Sequence, residues 1–136
     1  MPDPAEVTAY FEARARAMVG VAGGPHLRDA CPLPVFTVAG TEVVASAARN
    51  RQRVRMVRAG FAALGVEEVA PDILSLDMPS CERMRVSLRV RHLDRFGPLG
   101  SASDLVYYLS RCNGLLRAEM IEVRHCPAYD LLRGWR

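Results

Sequence analysis

The sequence predicts an α+β domain in which two helices and a short hairpin are followed by four antiparallel strands, in the order α-β-β-α-β-β-β-β. Its first part, up to Gly65, shows helical periodicity on either side of a short hairpin pattern. Residues 66–125 are typical of four consecutive strands with no helix between them. Within that part, Asn113-Gly114 separates two β-rich segments, and both residues tolerate the positive φ of a type I′ hairpin turn.

The first helix is expected over residues 5–19, with Asp3 as its N-cap and Pro4 at its first position, where a missing N–H does no harm. One stripe at helical spacing faces the expected core. It consists of Val7, Tyr10, Phe11, Arg14 and Met18.

A short hairpin over residues 32–38 and 41–45 comes next. Ser46 is expected to cap a second helix that ends at Leu64, with Gly65 in the C′ position. This helix carries five arginines outside an apolar arc, which favours a solvated amphipathic helix over a phosphate site. They are Arg49, Arg51, Arg53, Arg55 and Arg58.

The Asn113-Gly114 turn fixes the register of the last two strands, because each residue faces the one equally far from the turn. Tyr107 is therefore expected to face Met120, and Leu105 to face Glu122. The inner face of this pair then holds six residues. They are Leu105, Tyr107, Leu109, Leu116, Ala118 and Met120.

The preceding strand alternates strictly between apolar residues, from Met84 to His92, and a row containing Arg85, Arg89 and Arg91. A four-residue turn over residues 94–97 places the apolar row on the face of Tyr107, and the arginines beside acidic residues of the next strands. A three-residue turn would shift the register by one and reverse the faces. We adopt the four-residue interpretation.

This order of elements resembles the nuclear transport factor two-like superfamily, which includes ketosteroid isomerase and the SnoaL-like polyketide cyclases. The resemblance covers about residues 4–125 and includes Leu93-Asp94-x-x-Gly97 and Asn113-Gly114-Leu-Leu-Arg. It implies a curved antiparallel sheet wrapped round the N-terminal helices into a cone with an internal pocket, and dimerisation through the outer sheet face. We expect one such domain over residues 1–125 and a C-terminal tail over residues 126–136.

The pocket is expected to hold nine residues. Four of them, His92, Ser103, Tyr107 and Glu122, are polar and lie on or beside the inner face of the sheet. The nine are Tyr10, His26, Phe36, Leu88, His92, Ser103, Tyr107, Met120 and Glu122. An enclosed Glu122 would act as an acid or base, and Tyr107 would donate a hydrogen bond to a developing oxyanion. The alternative interpretation makes Tyr107 a core residue and places Glu122 and His92 at strand ends in contact with water.

The ketosteroid isomerase-like pattern has its general base near Pro34, where this sequence has no carboxylate. The nearest carboxylate is Asp29, which precedes the strand. It is a third catalytic candidate only if its loop folds inward.

A homodimer is expected through the mixed outer face, because that face is too apolar for a solvated sheet and its charges suit a polar rim. The expected interface consists of Arg89, Arg91, Asp104, Val106, Tyr108, Glu119, Ile121 and Val123.

Composition excludes several functions. All 18 residues in the lysine-plus-arginine count are arginine, so Schiff-base catalysis by a lysine and a P-loop are both excluded. No spacing of His, Cys, Asp or Glu is typical of a metal site, and no dinucleotide motif follows a strand, so neither a metal nor another cofactor is expected. The net charge of +3 does not indicate nucleic-acid binding.

No apolar stretch is long enough to span a membrane, and acidic residues near the N-terminus replace the apolar core of a signal peptide. We expect a cytoplasmic protein. Three functions remain open: a binding protein for a small apolar ligand, an acid–base enzyme of the isomerase, dehydratase or polyketide cyclase type, and a dimeric protein-interaction adaptor whose pocket is closed by side chains.

Overall fold

The computed structural model describes residues 3–19, 35–37, 42–44, 47–100, 102–112 and 114–125. These form two helices and seven strands: six strands follow the predicted order, and the seventh, β5, is a two-residue addition. The elements are α1 Pro4–Met18, β1 Val35–Thr37, β2 Glu42–Val44, α2 Ala47–Leu64, β3 Glu68–Asp77, β4 Arg83–Asp94, β5 Gly97–Pro98, β6 Ser103–Cys112 and β7 Leu115–His125.

One curved sheet contains all the strands, in the order β2-β1-β7-β6-β4-β3, with β5 paired to β4. All neighbouring strands pair antiparallel except β1 and β7, which pair parallel. Register shifts interrupt the β3–β4 and β6–β7 pairs. Such bulges bend a strand and increase its twist, which curves the sheet round α1.

Helix α1 begins as the sequence predicts. The Asp3 carboxylate accepts a hydrogen bond from the Ala5 amide at 3.0 Å, and Pro4 occupies the first turn. Val7, Tyr10 and Phe11 are buried against β4, β6 and β7 in one hydrophobic core, and we call the sheet surface that they contact the inner face. The interior of the fold therefore lies between α1 and this face.

Helix α2 packs against the C-terminal end of α1 rather than against the centre of the sheet. Its Phe61 packs with Val66 in a second apolar cluster that includes Met18 and Val57. The Arg58 guanidinium also donates to the Ala17 carbonyl oxygen at 2.5 Å, which satisfies a carbonyl at the C-terminus of α1. The two helices are thus fixed to each other at one end of the fold.

The faces of β4 and β6 are as predicted. Asp94 pairs with Gly97 across the predicted four-residue turn, and the Asp94 carboxylate accepts from the Phe96 amide at 2.7 Å. Further along, Val86 faces Tyr107, which joins the apolar rows of the two strands on the inner face. The arginine row lies on the other face, the outer face, where Arg89 pairs with the Asp104 carboxylate at 3.0 Å.

The predicted register of β6 and β7 is correct only near the turn. Cys112 faces Leu115 and Leu109 faces Ala118, but a bulge at Glu119 then shifts the pairing by one residue. A shift of one residue moves every following side chain to the opposite face. The predicted Tyr107–Met120 and Leu105–Glu122 pairs are therefore wrong.

Beyond the bulge, Tyr107 faces Ile121 and Leu105 faces Val123, whereas Met120 and Glu122 face Tyr108 and Val106. Ile121 is 5% exposed and belongs to the core. The bulge therefore adds an apolar residue to the core and moves a carboxylate out of it.

Candidate functional site: an arginine and two tyrosines on the inner face

Helix α1 carries Arg14 on the stripe that faces the core. Because residues four apart lie on one side of a helix, Arg14 stands above Tyr10. Its Nη1 donates to the Tyr10 hydroxyl at 3.4 Å. Its Cζ lies 5.8 Å from the centroid of the Tyr10 ring and 5.2 Å from that of Tyr107 on β6. We call Tyr10, Arg14 and Tyr107 the arginine–tyrosine cluster.

Phe11 fixes the two tyrosine rings. Its ring centroid is 5.1 Å from that of Tyr10 at an interplanar angle of 83°, and 5.0 Å from that of Tyr107 at 76°. These edge-to-face contacts are favoured by the charge distribution of aromatic rings. All three rings are buried, whereas Arg14 is only partly buried. The most accessible member of the cluster is therefore its charged one.

The cluster keeps a positive charge next to the neutral hydroxyl of Tyr10. Burial opposes the charge of Arg14, but its interactions with Tyr10 and Tyr107 outweigh this effect and raise the pKa of the guanidinium above its ordinary value. Burial raises the pKa of Tyr10, although the Arg14 charge opposes that shift. At neutral pH Arg14 is a cation and Tyr10 a neutral phenol that retains a proton to donate.

Arg14 differs from the arginines of the sheet in its partners. Seven of them form ion pairs with carboxylates: Arg83, Arg85, Arg89, Arg91, Arg111, Arg117 and Arg124. Within the described part of the chain no carboxylate pairs with Arg14, which has two phenols instead. A cation with two adjacent phenol donors is suited to holding a negatively charged oxygen.

His92 is a second polar group on the inner face. It is 7% exposed, its ring centroid lies 5.2 Å from that of Phe61, and its Nδ1 has no hydrogen-bond partner among the described residues. Burial lowers the pKa of this imidazole. At the usual strand rise His92 lies about 20 Å along β4 from Val86, the residue that faces Tyr107.

The structure thus divides the predicted pocket residues. Tyr10 and Tyr107 come together, and Leu88 lies in the same core. Ser103 is buried opposite Val90, nearer the His92 end of the sheet.

The prediction that Glu122 and Tyr107 share the inner face is wrong. The bulge at Glu119 places Glu122 and Met120 on the outer face, and the Glu122 carboxylate lies 3.5 Å from Arg124. His26 and Asp29 fall outside the described residues, and for Phe36 only the backbone is described, beside Met120.

The sequence interpretation missed Arg14 as a functional candidate, although a signal was present. Arg14 is the one charged residue of the stripe formed with Val7, Tyr10, Phe11 and Met18. An arginine on the core-facing stripe of a helix is unusual, because charged residues are almost never buried without a partner.

Of the expected dimer interface, Arg89, Arg91, Asp104, Val106 and Tyr108 lie on the outer face with Glu119 at the bulge. Arg91 pairs with Asp72 at 3.0 Å, and Arg83 with Glu119 at 3.0 Å. Ile121 is the clear exception, since it is a core residue; Val123 faces Leu105 through its backbone pairing.

A cleft of about 560 Å³ opens at the end of the sheet near the β3–β4 and β6–β7 turns. Its lining is Met78, Cys81, Glu82, Arg83, Met84, Ser110, Arg111, Arg117 and Glu119. Its arginines are paired within the protein: Arg83 and Arg117 share Glu119, and Arg111 makes two 2.6 Å contacts with Glu6. These pairs join β4, β6, β7 and α1, which indicates a structural role for the cleft.

Over the described ranges, no group of three or more His, Cys, Asp or Glu residues is placed to hold a metal ion. Neither α1 nor α2 has the length and apolar character that a membrane-spanning helix requires.

No family model and no curated protein matches the chain. Among solved structures, Aln2 from a Streptomyces species is 17% identical with a TM-score of 0.62, and the match covers 100% of this chain and 99% of Aln2. A domain of unknown function with a cystatin-like fold, from Nostoc punctiforme, is 10% identical with a TM-score of 0.59 over 92% of this chain and 80% of that domain.

The structure named Rd1NTF2_04 with long sheet is 13% identical with a TM-score of 0.53, over 84% of this chain and 95% of that one. At such identities the likeness shows the fold alone. The order of the elements, the curved sheet round α1 and these structural matches together show that the protein has the nuclear transport factor two-like fold.

Proposed function

We propose that the protein binds a small, mainly apolar organic molecule between α1 and the inner face of its sheet. The observation that carries this proposal is Arg14, a partly accessible cation beside the apolar core between α1 and the sheet. Partly buried apolar residues packed against the core, among them Leu105 and Ala118, would contact the body of such a molecule.

Enclosing the charge of Arg14 opposes folding, which favours a role in binding over a role in stability. Replacing a buried charged group by an apolar side chain of similar volume is often neutral or stabilising, so a core selected for stability favours leucine or methionine there. Costly polar groups in apolar surroundings are typical of ligand sites, where a few polar groups orient a ligand among apolar side chains.

The acid–base enzyme alternative loses Glu122 as its base, because Glu122 lies on the outer face, and its other carboxylate, Asp29, lies outside the described residues. The Tyr107 hydroxyl remains beside Arg14 as a donor. The geometry therefore supports binding more directly than it supports turnover.

The proposal is tested with a panel of neutral and acidic aromatic and polycyclic molecules. Their binding is measured by the shift in melting temperature and by native mass spectrometry. We expect some members to form one-to-one complexes and to raise the melting temperature by mass action.

Two matched variants locate the site. Leu105 and Met120 are both partly buried, but Leu105 lies on the inner face and Met120 on the outer face. Leu105→Trp should narrow the interior and weaken binding, whereas Met120→Trp should leave binding unchanged. Absence of any complex with the wild type, or equal effects of the two variants, would contradict an interior site.

A further inference from the structure

We infer that the bound molecule is a small apolar acid, whose negatively charged carboxylate or phenolate oxygen is held by Arg14 together with the hydroxyls of Tyr10 and Tyr107. This inference rests on the proposed function and names the ligand class of the same site.

The first argument is charge. The arginines of the sheet have carboxylate partners within the protein, whereas the described partners of Arg14 are the two phenols Tyr10 and Tyr107. A partly enclosed cation without a carboxylate partner is stabilised when a ligand brings the opposite charge into the same low-dielectric space.

The second argument is the donor set. A guanidinium has five N–H donors in a planar fork, and the contact with the Tyr10 hydroxyl uses one of them. A carboxylate matches such a fork because it accepts two parallel hydrogen bonds.

The third argument concerns the tyrosines. The Tyr10 hydroxyl accepts a hydrogen bond from Arg14 and still has its own proton to donate, and the Tyr107 ring lies beside the same cation. A positive charge next to a phenol makes it a better donor to an anionic oxygen. Phe11 holds both rings by edge contacts, so this geometry exists before a ligand arrives. Preorganised donors of this kind lose little entropy on binding.

The fourth argument is the apolar body of the ligand. Leu105 and Ala118 lie on the inner face, and both are partly buried apolar residues packed against the core that includes Phe11 and Tyr107. A molecule whose acidic oxygen reaches Arg14 would therefore lie against aliphatic and aromatic groups. An aromatic or polycyclic acid fits this arrangement better than a small polar acid does.

The test uses pairs of molecules that differ only in charge: benzoic acid, 2-naphthoic acid and anthracene-2-carboxylic acid, each with its carboxamide. Affinities are measured by calorimetry at neutral pH, where the acids are ionised and the amides are neutral. For at least one pair we expect wild-type protein to bind the acid about tenfold or more tightly than the amide, since hydrogen bonds to charged groups are the stronger ones.

Arg14→Met should bind the amide as the wild type does and lose the preference for the acid. Arg16→Met is the matched control, because Arg16 is exposed on the same helix. It should keep the full preference. Tyr107→Phe should keep part of it, because the guanidinium remains.

Arg14→Gln serves as a second variant without the charge, in case Arg14→Met lacks a cooperative thermal transition. The outcomes separate the two proposals. If neither acids nor amides bind the wild type, the proposed function is wrong. If amides bind as tightly as acids, or if the preference for acids persists in both Arg14 variants, the interior binds ligands but the assignment of an acid to Arg14 is wrong.

Discussion

Arg14 and His92 show two different ways in which a polar side chain is held on an apolar face. Arg14 lies against two aromatic rings and two hydroxyls, and a cation over a ring contributes about 0.5–2 kcal/mol. The effective cost of removing an ion from water is several kcal/mol. The contacts therefore offset only part of the cost of enclosing Arg14, whereas His92 avoids the cost by remaining neutral.

Arg14→Met is expected to leave the free energy of unfolding unchanged or to raise it by about 1 kcal/mol or more, because an apolar side chain of similar length replaces an enclosed cation. Urea unfolding of the ligand-free protein measures this, with Arg16→Met as the exposed control. A loss of more than about 2 kcal/mol would show instead that Arg14 holds the two tyrosines in place for stability.

The stability of the wild type is expected to decrease below about pH 6.5 because of His92. Burial lowers the pKa of His92 below its ordinary value of 6.5, so the unfolded chain binds the proton first as the pH falls. The contribution of neutral His92 to the free energy of unfolding is therefore complete above pH 6.5. Below that pH it decreases by up to about 1.4 kcal/mol per pH unit.

His92→Phe removes the titrating group and keeps a ring beside Phe61. Urea unfolding at about pH 8 and pH 5.5 should show a smaller loss of stability at the lower pH in the variant than in the wild type. Other groups titrate equally in both proteins and cancel. Parallel changes in the two proteins would mean that water reaches the imidazole.

At the scale of elements, the bulge at Glu119 determines which residues of β7 reach the core. The same residues in an unbulged hairpin would place Met120 and Glu122 inside, and Ile121 outside. The sequence around Glu119 contains no glycine or proline that would indicate a bulge. Strand existence, the Asn113-Gly114 turn and the faces of β4 follow from local patterns, whereas a bulge depends on how the strand fits the curved sheet.

Ile121→Arg and Met120→Arg test the bulge directly. Ile121→Arg should prevent folding or cost more than about 4 kcal/mol, because it buries an unpaired charge in the core. Met120→Arg should change the free energy of unfolding by less than about 1 kcal/mol, because Met120 is partly exposed on the outer face. Thermal melts of both variants measure this, and the opposite result would restore the unshifted register.

The functional site is harder to predict from sequence than the fold, because the site, like the bulge, depends on tertiary structure and not on local sequence patterns. Tyr107 is placed on the correct face because β6 alternates without interruption beside β4, although its predicted partner on β7 is wrong. Glu122 is misplaced because the bulge lies between it and the Asn113-Gly114 turn. Arg14 lies on a correctly predicted helix stripe, but only the tertiary structure shows that its described neighbours are Tyr10 and Tyr107 rather than a carboxylate.

At the scale of the whole molecule, the positive charges of the sheet are largely neutralised within the chain. The outer face carries the pairs Arg85–Asp77, Arg89–Asp104 and Arg91–Asp72, and these join β3, β4 and β6. Exposed pairs contribute little to stability, with a typical value of about 0–1 kcal/mol. Their larger effect is on recognition, because each arginine already has an anion beside it.

We therefore expect no specific binding to nucleic acid. Binding to a phosphate backbone depends on cations that release counterions, and paired arginines are poor competitors for phosphate. Fluorescence anisotropy with single-stranded and double-stranded oligonucleotides at about 150 mM salt should show no sub-micromolar affinity. Tight binding that weakens steeply with salt would contradict this expectation.

The outer face is also where we expect two copies of the chain to associate. Tyr108 and Met120 are only partly buried there, so they offer apolar surface among the paired charges, whereas Val106 is 2% exposed and already covered within the chain. Because those charges are already satisfied within each chain, burying them at the rim leaves no unpaired ion, and the contact should depend on apolar area more than on salt.

Sedimentation velocity should show a dimer that persists in about 0.5 M salt and becomes a folded monomer in Tyr108→Arg. Leu74→Arg is the control, since Leu74 is exposed on the edge strand β3, and it should remain dimeric. A monomeric wild type, or dissociation by Leu74→Arg rather than by Tyr108→Arg, would exclude the outer face as the interface.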